Sequence, residues 1–254
     1  MDGENSNASD RTRLDRLLVE RGLFESRARA RDAIARGTVS IEGAVCRKPG
    51  ARFVPGVAIA VTDEAQNYVS RAALKLIAGL DHFGFDPAGR NALDIGASTG
   101  GFSQVLLERG AAHVSAVDVG HDQLHPGLRD DPRLSNHEGV NARHLTRDDI
   151  NGREIDAVVA DVSFISLRLA LPPALALAAP ASFCVLLVKP QFEAGKDALG
   201  KGGLLKDPSL GPRIASELSD WLDSQPGWKS LGTCPSPIKG GDGNREFLLG
   251  GVKE

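Results

Sequence analysis

Four charged residues are placed where a folded sheet could gather them into one proton-transfer site. Lys75 lies on a predicted helix, Asp161 ends the predicted strand in VVADVSFIS, Lys189 ends the one in LLVKPQFE, and Glu246 starts the one in GNREFLL. Taken singly, each would be an ordinary surface charge at the end of an element. The ordered set Lys, Asp, Lys, Glu at the edges of predicted strands favours a catalytic site.

The chemistry that suits this set is methyl transfer to an alcohol. A ribose 2′-hydroxyl is a weak acid, so its proton must leave as the oxygen attacks a sulfonium methyl group in line. Burial and a second ammonium nearby both favour the neutral amine of a lysine, which can then act as a base. We predict Lys189 as the base, with Lys75 as the second ammonium. Asp161 should orient Lys189 near the sulfonium, while Lys75 and Glu246 position the ribose.

A glycine-rich segment between a strand and a helix indicates a cofactor site. The strand ends in LDIGASTGGF, residues 93–102, and a helix follows directly. Glycines let a ligand approach the backbone at the carboxyl edge of an open α/β sheet. The spacing is not GxGxxG and no P-loop lysine follows, which weakens a pyrophosphate site.

An acidic residue supports a cofactor that contains ribose. Asp118 ends the next strand, 24 residues after Asp94, where a carboxylate can accept hydrogen bonds from ribose hydroxyls. Asn141, after the third strand, is a candidate contact for adenine. These features predict S-adenosylmethionine as the cofactor. The candidate cofactor-binding residues are Asp94, Gly96, Ala97, Ser98, Thr99, Gly100, Gly101, Phe102, Asp118, Val119, Asn141 and Asp161.

The elements that would position these residues alternate in type. A helix begins near Ser70, and Lys75 is expected beside its buried stripe. Seven strands follow, mostly separated by helical stretches, at 91–95, 113–118, 137–140, 155–161, 183–188, 229–234 and 246–250. This order predicts an α/β fold with a doubly wound, Rossmann-like sheet of seven strands.

A small basic module precedes that sheet. Leucines at helical spacing begin at Leu14, Ser26 offers a cap for a second helix ending at Gly37, and short alternating strands follow. Residues 11–54 hold 11 basic and 5 acidic side chains, although the whole chain has a net charge of −3. The pattern predicts an α+β module whose basic helix is either an interaction surface or simply solvated.

Composition and cysteine usage exclude several classes of protein. With 254 residues, of which 41% are hydrophobic, the chain should form one large domain and a small module. Three distant cysteines without CxxC spacing predict neither disulfides nor a cysteine zinc site. Residues 1–10 are polar and predict a disordered tail, not a signal peptide. Arg168 and prolines interrupt the longest apolar stretch, so we expect a cytoplasmic protein without a membrane span.

Longer motifs resemble two known families. The run RLDRLLVERGLFESRARARDAIARGTVSIEG resembles the S-four (S4) RNA-binding domain. Nearly the whole chain resembles the TlyA group of FtsJ-like ribosomal RNA 2′-O-methyltransferases, through the motifs YVSRAALKL, LDIGASTGGF, AVDVG, DVSFISL, LLVKPQFEAG and SPIKGGDGNREFLL.

The resemblance implies a class I methyltransferase domain at 70–254, an S4-type RNA-binding domain at 11–63 and a linker at 64–69. It implies S-adenosylmethionine as cofactor, cytidine 2′-hydroxyls of ribosomal RNA within ribosomal subunits as target, no required metal, and the four charged residues as a catalytic tetrad. The S4-type module should meet RNA mostly through phosphates. Its candidate RNA-binding residues are Arg13, Arg16, Arg27, Arg29, Arg31, Arg36, Arg47 and Lys48.

Three alternatives carry less support. Members of this group have been labelled haemolysins, but no secretion signal, span or long amphipathic helix is present to suit a membrane-active protein. An inactive ribosome-binding protein would be favoured had one of the four charged residues been lost. His121 and His125 have helical metal-ligand spacing but lack a third ligand.

Residues 191–193, which include Phe192, are expected to line the target pocket, with Phe192 either stacking on a base or packing in the core.

Overall fold

In the computed structural model, which describes residues 11–254, the chain divides into two units between Asn67 and Tyr68. The predicted tail, residues 1–10, lies outside the described residues. The elements of the first unit are β1 (Thr12–Arg13), α1 (Leu14–Glu20), α2 (Arg27–Arg36), β2 (Val39–Ile41), β3 (Ala44–Val45), β4 (Arg52–Phe53), β5 (Ile59–Val61) and a 3₁₀ helix (Glu64–Asn67). Strand β2 is central in a three-stranded sheet of order β3-β2-β5, and β1 pairs with β4.

Local sequence signals fix both ends of α2. The Ser26 hydroxyl accepts a hydrogen bond from the Arg29 amide at 3.3 Å, which caps the first turn. Gly37 ends the helix with a φ of +82°, a conformation that glycine adopts without steric cost. Leu14, Leu18 and Ile34 are fully buried in the core between α1 and α2.

The second unit is built around one large sheet. Its strands are β6 (Asn91–Ile95), β7 (His113–Asp118), β8 (Leu134–Glu138), β9 (Ile155–Ala160), β10 (Ala178–Val188), β11 (Trp228–Pro235) and β12 (Phe247–Lys253). The helices are α3 (Ala73–Phe83), α4 (Gly101–Glu108), α5 (Pro126–Arg129), α6 (Leu167–Ala170), α7 (Pro172–Leu177), α8 (Pro190–Glu193) and α9 (Leu210–Asp223). Short 3₁₀ helices lie at Ala142–His144, Asp148–Ile150, Lys196–Ala198 and Lys201–Gly203.

The strand order places the loops of the candidate site at one edge. The order is β11-β12-β10-β9-β6-β7-β8, and β12 is antiparallel to both of its neighbours while the other pairs are parallel. The chain therefore leaves β6, β7, β9 and β10 at the same edge at which it enters β12. The predicted seven-stranded α/β fold is confirmed, with a mixed sheet.

Helices cover both faces of this sheet. Leu76 of α3 and Leu106 of α4 pack against one face, together with sheet residues such as Val185. Leu167 of α6 and Leu218 of α9 pack against the other face. Burial of these two apolar surfaces is the main stabilising contribution and makes the sheet edge a fixed platform.

Several predicted boundaries are corrected by the structure. The third strand of the sheet is Leu134–Glu138, not 137–140, because Gly139 takes a φ of +73° and ends the pairing with β7. Strand β10 begins earlier than predicted, at Ala178, with a register shift before Phe183. The helix predicted from Ser70 begins at Ala73.

No helix within residues 11–254 is long and apolar enough to cross a membrane. Cys46, Cys184 and Cys234 are free thiols.

Candidate active site

The loop after β6 forms a backbone cradle. Gly96 has a φ of +81°, and a Cβ atom there would lie 2.9 Å from the carbonyl oxygen of Asp161. No side chain fits without moving one of the two loops, so this contact requires glycine. The cradle brings the end of β6 directly against the residue that follows β9.

A cavity of about 480 Å³ opens beside this cradle. It is lined by the loops after β6, β7, β8 and β9, and its walls include Gly96, Ser98, Asp118, Asn141 and Asp161. Cavities that enclose small-molecule ligands have volumes of about 300–1,000 Å³. The size therefore suits a nucleoside-containing cofactor.

The Asp118 carboxylate is oriented by backbone donors. Its Oδ2 accepts a hydrogen bond from the Ser98 amide at 2.8 Å, and its Oδ1 accepts one from the Gly120 amide at 2.7 Å. Each carboxylate oxygen can accept a further bond. Asp118 is thus preorganised to accept the hydroxyls of a ribose, and the residues present fit S-adenosylmethionine.

A second cavity, of about 150 Å³, adjoins the first. Gly96, Ser98, Asp161 and Ser163 line both cavities, whereas Lys189 lines only the second. Asp161 and Ser163 therefore stand where a cofactor in the larger cavity would meet a substrate group approaching Lys189.

The four charged residues form two ion pairs. Lys75 Nζ lies 2.6 Å from Glu246 Oε2, and both side chains are almost completely buried. Lys189 Nζ lies 2.6 Å from Asp161 Oδ1 and donates a hydrogen bond of 2.7 Å to Ser163 Oγ. Burial raises the pKa of Glu246, and the charges of Lys75 and Lys189 oppose that rise. All four groups thus belong to one electrostatic cluster.

The burial of Lys75 corrects the expectation from helix periodicity. Lys75 is 5% exposed and belongs to the buried side of α3. A buried lysine is tolerated because Glu246 supplies the opposite charge. Periodicity alone cannot detect this, because the partner is 171 positions away in the sequence.

Two predicted cofactor residues line neither cavity. Asp94 is fully buried behind the loop, and a Cβ atom on Gly100 would lie 2.5 Å from Leu128, which indicates a packing role. Ala97, Thr99, Gly101 and Phe102 line the second cavity, whereas Val119 and Asn141 line the first. Sequence reasoning did not single out Ser163, although it stands between Asp161 and the aromatic Phe164 in the same motif.

The buried Asp94 has an unusual protonation equilibrium. Ser103 Oγ donates to its Oδ2 at 2.7 Å, while no described residue donates to its Oδ1. Burial raises the pKa of Asp94 to about 7, a rise that the Ser103 hydrogen bond limits. The folded protein therefore keeps a proton on Asp94 at pH values where the unfolded chain has released it.

We predict that Asp94→Asn stabilises the protein at pH 8 but not at pH 4. With a raised folded pKa, stability is lost as pH rises from about 4 to about 7, and asparagine cannot ionise. The gain in unfolding free energy at pH 8 should be on the order of 2–4 kcal/mol. Urea unfolding of both proteins at the two pH values measures it. An equal difference at both pH values would contradict the assignment.

Two aromatic rings stand beside the charged cluster. The rings of Phe164 and Phe192 have centroids 5.1 Å apart, and Lys189 Nζ lies 6.0 Å from the Phe192 centroid. Phe164 is 90% exposed, so its ring is available to a ligand. Phe192 is half-buried. The Glu193 carboxylate accepts hydrogen bonds from Ser166 and Leu167 at the start of α6.

Most candidate RNA-binding arginines have partners inside the first unit. Arg13 and Arg27 both contact the buried Asp15, and the Arg13 hydrogen bonds lower the pKa of Asp15 to about 2. The others pair as Arg16 with Glu20, Arg29 with Glu25, Arg36 with Asp32 and Asp63, and Arg47 with the carbonyls of Ala35 and Arg36. Arg31 and Lys48 are exposed.

One of the two histidines considered as metal ligands, His125, has another contact. His125 Nδ1 accepts a hydrogen bond from the Gly127 amide at the start of α5. Across residues 11–254, no three His, Cys, Asp or Glu side chains are grouped to hold a metal ion.

Taken together, the sheet order, the glycine cradle and the match to a methyltransferase family define an S-adenosylmethionine-dependent methyltransferase. Residues 68–253 match the family described as FtsJ-like methyltransferase, and residues 12–59 match the S4 domain. The chain belongs to the TlyA family of FtsJ-like methyltransferases, as its motifs predicted.

Individual relatives support this assignment. The chain is 48% identical to the 16S/23S rRNA (cytidine-2′-O)-methyltransferase TlyA of Mycobacterium tuberculosis, covering 94% of this chain and 89% of the relative. It is 38% identical to Hemolysin A of Brachyspira hyodysenteriae, covering 93% and 98%. A solved structure from Streptococcus thermophilus matches with a TM-score of 0.73 and 37% identity, covering 97% of this chain and 90% of that one.

Proposed function

We propose that this protein transfers the methyl group of S-adenosylmethionine to the 2′-hydroxyl of a cytidine in ribosomal RNA. The observation that carries the proposal is the cluster of two ion pairs, Lys75 with Glu246 and Lys189 with Asp161, in which Asp161 lines the cavity suited to the cofactor. The activity in the name of the M. tuberculosis relative supports the same reaction. Such an enzyme would act on ribosomal subunits in the cytoplasm and would need no metal.

The cofactor site would be divided among four loops, those after β6, β7, β8 and β9. Asp118 would accept hydrogen bonds from the ribose hydroxyls, and Asn141 would face the adenine base. The methionine portion of the cofactor would lie against the cradle at Gly96 and extend toward Asp161. When bound, S-adenosylmethionine supplies a methyl group on a positively charged sulfur. The Asp161 carboxylate, at the junction of the two cavities, favours positive charge there.

Lys189 would remove the proton from the ribose hydroxyl. A neutral amine has two N–H bonds and one lone pair, and Ser163 and Asp161 offer acceptors at 2.7 and 2.6 Å. One N–H bond is directed at Ser163 Oγ, and Lys189 lines the second cavity, so a substrate hydroxyl bound there could reach the lone pair. The hydroxyl O–H bond would break as its proton moves to Lys189 Nζ, and the electron pair left on the oxygen could then accept the methyl group that S-adenosylmethionine would supply as its carbon–sulfur bond breaks.

Lys75 and Glu246 would position the ribose. Their mutual pairing at 2.6 Å leaves donor capacity on the ammonium and acceptor capacity on the carboxylate. A sugar bearing adjacent hydroxyls needs both kinds of partner. Phe164, exposed beside Phe192, offers a stacking surface for the target base once the base has left its own stack.

A substrate lacking a single oxygen tests this reaction. Purified protein is incubated with labelled S-adenosylmethionine and ribosomal subunits, and 2′-O-methylcytidine is mapped in the RNA. An RNA fragment with the mapped nucleotide is then made with 2′-deoxycytidine at that position. We expect transfer to the ribose form and none to the deoxy form. Equal transfer to both would place the methyl group on a base and refute the proposed reaction.

The exposed basic residues of the first unit predict how RNA binding depends on salt. Arg31 and Lys48 are expected to neutralise RNA phosphates, so the double variant Arg31→Ala, Lys48→Ala should bind ribosomal RNA more weakly. The slope of log affinity against log salt should fall in magnitude by about 1.4–1.8. Filter binding over a salt series measures it, with Arg213→Ala, on exposed α9, as control. An unchanged slope would exclude these two residues from the RNA contact.

A further inference from the structure

The catalytic and aromatic side chains lie on two separate turns. The β9 turn, residues 161–166, carries Ser163 and Phe164, and the β10 turn, residues 189–193, carries Lys189 and Phe192. The turns meet through the Lys189 to Ser163 hydrogen bond and the contact between the two rings. The relative position of the two turns therefore determines the distance and direction from Lys189, the proposed general base, to the aromatic surface proposed for the target nucleotide.

The β9 turn holds a strained residue. Phe164 has a φ of +65°, a left-handed conformation that a bulky side chain rarely adopts. Its ring is 90% exposed, so burial of the ring cannot be what stabilises this conformation. Strained residues persist only where surrounding contacts determine the backbone, and they concentrate at functional sites.

Glu193 makes the contacts that fix the far end of the β9 turn. Its Oε1 accepts a hydrogen bond from the Leu167 amide at 2.8 Å, and its Oε2 accepts one from the Ser166 hydroxyl at 2.6 Å. Ser166 Oγ in turn accepts from the Arg168 amide at 3.1 Å and caps α6. A carboxylate that receives two hydrogen bonds makes a strong and directional link.

We infer that Glu193 is a positioning residue that locks the β9 turn to the β10 turn and so fixes Ser163 and Phe164 relative to Lys189. Glu193 lies in the same short segment as Lys189, and the residues that it binds follow Phe164 closely in the chain. Loss of the carboxylate frees the strained turn to relax. The link itself is independent of the reaction, whereas its effect on rate rests on the proposed function.

Glu193→Ala tests the link, with Glu193→Gln as the conservative variant. Hydrogen exchange of the Leu167 amide should accelerate in the alanine variant, because its acceptor is gone. Glutamine keeps one amide oxygen for Leu167, so exchange should be close to that of the wild type. Ser166→Ala removes the other half of the link, and Glu217→Ala, on the exposed side of α9, is the control.

The kinetic result separates positioning from general stability. In Glu193→Ala, kcat at saturating substrates should fall by about 10- to 100-fold, because small misplacements of reacting groups have effects of this size. The KM for S-adenosylmethionine should change less than kcat. Ser163 and Phe164 of the β9 turn line the cofactor cavity, but Asp118, the proposed ribose contact, lies on the loop after β7 and keeps its position. Glu193→Gln should restore most of kcat.

Each outcome bears on one claim. Unchanged exchange at Leu167 in Glu193→Ala and Ser166→Ala would overturn the link. Faster exchange with unchanged kcat would overturn the positioning role. A wild-type protein that fails to methylate ribosomal RNA would refute the proposed function, while the exchange experiment would still decide whether the link exists.

Discussion

Replacing Lys189 with alanine should lower turnover by roughly 10² to 10⁴, the range typical of removing a general base. Lys189 is the lysine that lines the second cavity, where it donates a hydrogen bond to Ser163 and lies beside the Asp161 carboxylate. Affinity for S-adenosylmethionine should change far less, because Lys189 does not line the larger cavity. Single-turnover methylation and calorimetric titration measure the two effects separately.

An arginine at this position distinguishes proton removal from charge alone. Arginine keeps a positive charge beside Asp161 but cannot lose its proton at any pH used in the assay. If Lys189 takes the proton, Lys189→Arg should be as slow as Lys189→Ala. If Lys189 acts only by its charge, the arginine variant should retain substantial turnover, and the assignment of the base would be wrong.

The matched control for both variants is Lys229→Ala. Lys229 is an exposed lysine near the start of β11, a strand that runs parallel to β10, so it lies at the sheet edge opposite the cavities. We expect the Lys229→Ala variant to have the turnover of the wild type. A comparable loss there would show that the assay responds to stability or total charge.

Local signals explain which parts of the fold could be predicted from sequence. Helix α2 is predictable with its bounds because Ser26 and Gly37 act within a few residues of its ends. Strands β6 and β7 are predictable because central strands are buried on both faces and therefore rich in apolar residues, with Ala, Leu and Ile in β6 and two Val and an Ala in β7. The predicted boundaries of β8 were wrong because an edge strand is half polar and pairs on one side only.

The candidate site was predictable only to the extent that its residues end strands. Asp161 and Lys189 could be predicted as neighbours since parallel strands share a carboxyl edge. The burial of Lys75 and the link through Glu193 depend on contacts between distant segments, and no local pattern encodes them. The ion pairs of Arg13 and Arg27 with Asp15 likewise depend on how α1 and α2 pack together.

Gly96→Ala should weaken cofactor binding more than removal of any one polar contact. The new Cβ atom would lie 2.9 Å from the carbonyl oxygen of Asp161, 3.0 Å from its carbonyl carbon and 3.2 Å from Val162 Cα. These are backbone atoms and cannot turn aside as a flexible side chain could. Either the loop after β6 or the turn after β9 must move, and both line the two cavities.

Gly152→Ala is the control that separates the steric clash at Gly96 from the free-energy cost of placing alanine in a left-handed backbone conformation. Gly152 has a φ of +71°, and a Cβ atom added there would meet no heavy atom within 4 Å, whereas Gly96 has a φ of +81° with the clash. Each substitution should lower the unfolding free energy by about 1–2 kcal/mol for the left-handed backbone. The dissociation constant for S-adenosylmethionine should rise about 100-fold in Gly96→Ala alone, as displacements near 1 Å have such effects. Equal affinities in the two variants would mean that the cradle between β6 and β9 does not receive the cofactor.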